Sequence, residues 1–109
     1  MTVHEWLRSR APRPPEALSA RLDAVLTDSL GEPADRVPDL FLTASEQLVA
    51  ELLRSDCTSR DSALDLLAAD ALMTYAFEAA GADIATVGDR ASEAMTRIAA
   101  LADSALFPA

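Results

Sequence analysis

The chain has 109 residues, half of them hydrophobic, with only three glycines and one cysteine. That is enough for one domain around one core, and too apolar to read as a disordered chain. Eighteen acidic residues against nine arginines and no lysine leave a formal charge of -9, which repels phosphate backbones and argues against nucleic-acid binding.

Alanine and leucine dominate and β-branched residues are few, which favours helices over strands. A single cysteine, Cys57, can form no intrachain disulfide. The start has no basic stretch followed by an apolar run, and no segment is apolar for long enough to cross a bilayer. A cytoplasmic protein with no membrane span is therefore expected.

The first element is short. In "TVHEWLRSR", Thr2 and Glu5 stand at capping-box spacing, and Val3, Trp6 and Leu7 fall on one side of the two turns that follow. "APRPP" then makes a stiff linker, so residues 1–13 read as a short helix set apart from a bundle over residues 14–109. Pro15 suits the first turn of a helix running to about Leu30, with Leu18, Leu22, Val25 and Leu26 as its stripe and Gly31 as its stop.

After "GEPADRVP", Asp35 is a candidate N-cap and Pro38 fits a first turn. The helix from there to Arg54 carries Phe41, Ala44, Leu48 and Leu52 as its apolar stripe, widened by Leu42, Val49 and Leu53. "SDCTSR" breaks the periodicity, with Thr58 and Asp61 as a second capping pair. A third long helix is predicted from about Ser59 to Ala80, ending at Gly81. A fourth starts near Asp83 and runs to about Ala105, with Ile84, Val87, Ala91, Met95, Ile98 and Ala102 inward and the Glu93–Arg97 pair outward. Short loops make sequential helices antiparallel neighbours. The expected fold is all-α, an antiparallel four-helix bundle with the short N-terminal helix folded against it.

The third helix is apolar almost all round. One face carries Leu64, Ala68, Leu72, Tyr75 and Ala79 and is assigned to the core. A second carries Leu66, Ala69, Met73, Phe77 and Ala80, of which Leu66, Met73, Phe77 and Ala80 are assigned to an interface, because one chain has too little left to cover this face. Between them Asp70, Thr74 and Glu78 form a narrow polar strip, either a solvated seam or a polar line inside a pocket.

Two strings carry local family resemblances. "AADALMTYAFEAA", within Leu66 to Ala80, resembles a helix of trans-isoprenyl diphosphate synthases. That resemblance implies magnesium and diphosphate chemistry on two aspartate-rich motifs, which this chain lacks. Its nearest carboxylate pairs, Asp61 with Asp65 and Asp89 with Glu93, would lie near opposite ends of an antiparallel bundle, roughly 20–30 Å apart. "RLDAVLTDSLGEPADRVP" resembles the first helix and loop of acyl carrier proteins, whose Asp-Ser-Leu serine bears phosphopantetheine at the start of their second helix. Here Asp28, Ser29 and Leu30 finish a helix instead, and Ser45 at the aligned position has no aspartate before it.

The remaining residues offer little chemistry. His4 is the only histidine, so neither a di-iron bundle nor a zinc site can be assembled. Cys57 has no local histidine, and no glycine-rich phosphate loop occurs. The reading is a non-catalytic interaction module, without metal or cofactor, that pairs with a second copy or another protein. The alternative is a bundle holding a small apolar ligand, isoprenoid- or acyl-like, between the third and fourth helices.

Overall fold

A computed structural model describes residues 1–55 and 59–106, without the side chains of residues 83, 85, 90 and 104–106. The described chain is all-α: α1 (Val3–Arg8), α2 (Glu16–Val25), α3 (Val37–Arg54) and α4 (Arg60–Leu106). Two 3-10 turns, Thr27–Ser29 and Ala34–Arg36, lie between α2 and α3. The chain divides into two compact units, Met1–Ala79 and Ala80–Ala109.

Helix starts follow local chemistry. At α1 the Glu5 amide donates to Thr2 Oγ1 at 3.2 Å, and the Thr2 hydroxyl in turn donates to Glu5 Oε1 at 3.3 Å. Pro15 sits at the N-cap of α2, and Pro38 lies in the first turn of α3. At α4 the Ser62 amide donates to Ser59 Oγ at 3.0 Å, which makes Ser59 the capping residue. The pairing expected of Thr58 with Asp61 lies outside the described residues, as does Cys57.

Two boundaries differ from those the periodicity predicts. α2 ends at Val25, five residues before the expected end, and tightens into the Thr27–Ser29 turn. There Thr27 Oγ1 donates back to the Asp23 and Ala24 carbonyls, at 2.9 and 3.0 Å. The second difference is larger. No break occurs at Gly81, and the expected third and fourth helices are one continuous helix. A glycine stops a helix by adopting a positive φ, and Gly81 does not. Left helical, it costs only about 1 kcal/mol relative to alanine, which the alanine-rich sequence on either side tolerates.

The core of the Met1–Ala79 unit draws on all four helices. Val3, Leu22, Leu26, Val37, Phe41, Leu48, Ala68 and Leu72 are all buried, with Trp6, Leu7 and Tyr75 packed against them. The helix α3 runs antiparallel to the first part of α4. Leu53 near its end shares a groove with Leu66, Ser45 bonds to Ala69, and Phe41 near its start meets the Trp6 ring that also meets Tyr75. Buried alanines at 68, 69, 76 and 79 let the two helices approach closely.

The short N-terminal helix is built into this unit. Val3 is 0% exposed, and its amide donates to the Glu32 carbonyl at 2.8 Å. The His4 amide donates to Leu30 O and the Ala34 amide to Met1 O, so residues 1–4 run along residues 30–34. The proline-rich linker, with a cis Ala11–Pro12 bond, separates α1 from α2 in sequence only.

Candidate functional site

The two apolar faces of α4 differ in the burial of their large side chains. Ala68, Leu72 and Ala79 are buried and Leu64 and Tyr75 half-buried, so the first face closes the core. On the second, Leu66 is 61% and Phe77 69% exposed, Met73 is also exposed, and only Ala69 beside them is buried. Ala80, the fourth residue expected on that face, is half-buried and begins the second unit.

The exposed face continues onto α3. Val49, Leu52 and Leu53 line a shallow groove of about 290 Å³ with Ala63 and Leu66. A neighbouring hollow lies between Val49, Ala50, Leu53 and Met73. The spacing places Val49 and Leu53, together with Leu42, on a widened inward stripe of α3. They are exposed instead, Leu53 at 81%. The reason is geometric: at 100° per residue the buried Phe41, Ala44, Ser45, Leu48 and Leu52 span about 100° of α3, and Leu42, Val49 and Leu53 lie beyond that arc.

Asp70, Thr74 and Glu78 are exposed, so the polar strip is a solvated seam and lines no enclosed pocket. Thr74 Oγ1 donates to the Asp70 backbone carbonyl at 2.9 Å. Glu78 accepts from Arg10 Nη1 at 3.0 Å, and the same guanidinium lies 4.0 Å from the Trp6 ring centroid. Trp6 in turn meets Phe41 and Tyr75 edge-on, with centroids 5.7 and 6.0 Å away. This cluster joins α1 to α3 and α4. Arg10 and Glu78 are 68 positions apart, so no local spacing announces it.

Tyr75 has a perturbed proton. Burial raises its phenol above the usual 10.0, the Glu78 carboxylate raises it further, and Arg10 opposes them. A raised folded value means the neutral phenol contributes stability in full below pH of about 10, lost as pH rises through the folded value. Above pH 10 the natural protein is therefore expected to lose stability faster than Tyr75→Phe, measured by urea denaturation at stepped pH. The absence of lysine keeps that range clear of other titrations. Parallel pH profiles for the two proteins would exclude this role.

Other candidate residues are committed elsewhere. Ser45 is fully buried, and its hydroxyl donates to Ala69 O at 2.9 Å, which closes it to modification. Ser29 closes a 3-10 turn rather than an α-helix. Asp65 accepts from Arg21 at 2.6 Å, and Glu93 pairs with Arg97 one helical turn away. Among the described residues, no three His, Cys, Asp or Glu side chains converge on a point that could hold a metal. A cavity of about 380 Å³ beside Arg8, Arg13, Glu16 and Asp23 sets two arginines against two carboxylates and so favours neither anion nor cation. Among the described residues, no helix is long and apolar enough to cross a membrane.

The inward stripe expected of the fourth helix is not inward. Ile84, Val87, Met95 and Ile98 are all exposed, Ile98 at 65%. Compared with protein-family models, with curated proteins and with solved structures, the chain matches none.

Proposed function

We propose that the protein is a non-catalytic interaction module that pairs with a second copy of itself through the exposed apolar face of α4. One observation carries this reading. Leu66, Met73 and Phe77 stand in solvent on a helix whose opposite face already closes a core, and Val49 and Leu53 extend the patch. Contiguous apolar patches of that kind mark interfaces, and methionine beside phenylalanine suits an adaptable one. Two-fold pairing is the commonest assembly of a small protein.

The charge says how such a pair is held. Two copies at -9 each repel, so apolar contact has to supply the attraction. Added salt, which screens the repulsion, is expected to tighten the pair.

Light scattering coupled to size-exclusion chromatography tests the proposal. A dimer is expected at micromolar concentration, and Phe77→Asp is expected to give a monomer by placing an uncompensated charge in the contact. Because Phe77 is exposed in the single chain, the variant should keep its helicity and melting behaviour. A natural protein that is monomeric at every concentration would refute self-pairing. The second reading would then be an apolar ligand in the 290 Å³ groove, a size at the lower end for small-molecule sites.

A further inference from the structure

Among the described residues, the C-terminal unit buries no side chain fully. Every described residue from Gly81 to Asp103 is exposed, and among them are Ile84, Val87, Met95, Ile98 and Leu101. Helices in proteins owe most of their stability to packing of an amphipathic face, and this face is unpacked.

The spacing defines the shape of what covers it. Ile84, Val87, Ala91, Ala94, Ile98 and Leu101 follow one another in alternating steps of three and four. That is a seven-residue repeat, the seam of one helix lying along another. The seam also has an order of sizes: large residues at 84, 87, 98 and 101, small ones at 91 and 94, with Ala80 before them.

That order identifies the partner. Laid antiparallel against a second copy, with a two-fold axis beside Asp89, the seam is complementary to itself. Ile84 then faces Ala94 of the second copy, Val87 faces its Ala91, and Ile98 faces its Ala80; only the end layer, Leu101 against Phe77, sets two large residues together. Along the flank Met95 faces Gly81 of the second copy, and Gly88 meets Gly88. Both glycines have open space where a Cβ would stand, so the flank is clear for a neighbouring side chain.

Other arrangements lose this fit. A shift of one repeat sets Ile84 against Leu101 and Val87 against Ile98, with Ala91 against Ala94, or else Ile84 against Val87 with Ala80 against Ala91. A parallel pair sets each residue against itself. All of these alternate crowded layers with empty ones, and close packing tolerates neither.

We propose that residues Ala80–Leu101 of α4 pair with a second copy as an antiparallel two-helix coiled coil centred beside Asp89. The inference rests on the self-association proposed above and gives it an orientation and register from Phe77 onward, with Leu66 beyond the reach of the second copy's helix. It extends the contact to a unit whose spacing alone predicts only intrachain packing.

The test uses the full chain with Cys57→Ser, carrying either Ala80→Cys or Ile98→Cys. When the two are mixed and mildly oxidised, a disulfide between unlike chains is expected. Ala80→Cys alone is expected not to link, since positions 80 of the two copies would lie about 27 Å apart along the axis, beyond the roughly 7 Å limit for a disulfide. Ile98→Asp is expected to weaken pairing on the order of 100-fold while the Met1–Ala79 unit melts unchanged. Efficient linking of Ala80→Cys to itself, or a dimer that forms neither disulfide, would overturn the antiparallel register and leave self-association standing. So would Ile98→Asp dimers as tight as the natural ones. A protein that never dimerises would overturn both.

Discussion

Removal of residues 1–10 is expected to abolish cooperative folding of the Met1–Ala79 unit. The deletion takes away Val3, fully buried, and Trp6, whose ring stands between Phe41 and Tyr75. It breaks the three backbone hydrogen bonds that tie residues 1–4 to residues 30–34. It also removes Arg8 from Asp23 and Arg10 from Glu78, although exposed ion pairs of this kind contribute at most about 1 kcal/mol each. Loss of a packed tryptophan alone costs about 3–5 kcal/mol. A unit of this size has a total stability of only about 4–12 kcal/mol. Thermal melting followed by circular dichroism should therefore show a gradual loss of ellipticity in place of a transition. A sharp melt displaced by only a few degrees would mean that the linker isolates α1 energetically as well as in sequence.

Phe41→Ala is the single substitution with the largest expected effect, about 3–5 kcal/mol in urea denaturation. The ring has no exposed surface and is the largest fully buried side chain. Its neighbours belong to different helices, so none can collapse into the space without moving a whole element. Leu48→Ala, at a nearly buried position of the same stripe, is expected to cost about 2–4 kcal/mol. Ile98→Ala is equivalent by its position at the centre of a stripe, but not by its surroundings. With its side chain two-thirds exposed, the same truncation should leave unfolding of the Met1–Ala79 unit within about 0.5 kcal/mol. A loss of several kcal/mol there would mean that the C-terminal seam packs against its own chain.

Much of the candidate surface is legible in the order of residues. The division of residues 64–80 into two apolar faces follows from 100° per residue; Leu66, Met73 and Phe77 on the second are exposed, but Ala69 on the same face is buried and Ala80 half-buried. Positions 49 and 53 mislead because an apolar residue on a helix flank reads alike whether a neighbour reaches it or not. The Arg10–Trp6–Glu78 cluster and the Ser45–Ala69 hydrogen bond leave no trace in the spacing, since each joins residues with no local relation.

What the sequence determined by itself was local. Hydroxyl caps at Thr2 and Ser59, prolines at the starts of α2 and α3, and the stripe Phe41–Ala44–Leu48–Leu52 act within a turn or two, where side chain and backbone meet whatever the rest of the chain does. Only the tertiary structure decided whether Gly81 stops a helix or lies within one, and whether the short N-terminal helix stands apart or closes the core. A glycine permits a left-handed turn without requiring it, at a difference of about 1 kcal/mol. Such a margin is smaller than the burial of one leucine, so the residue order leaves the choice open, and here the helix continues to Leu106.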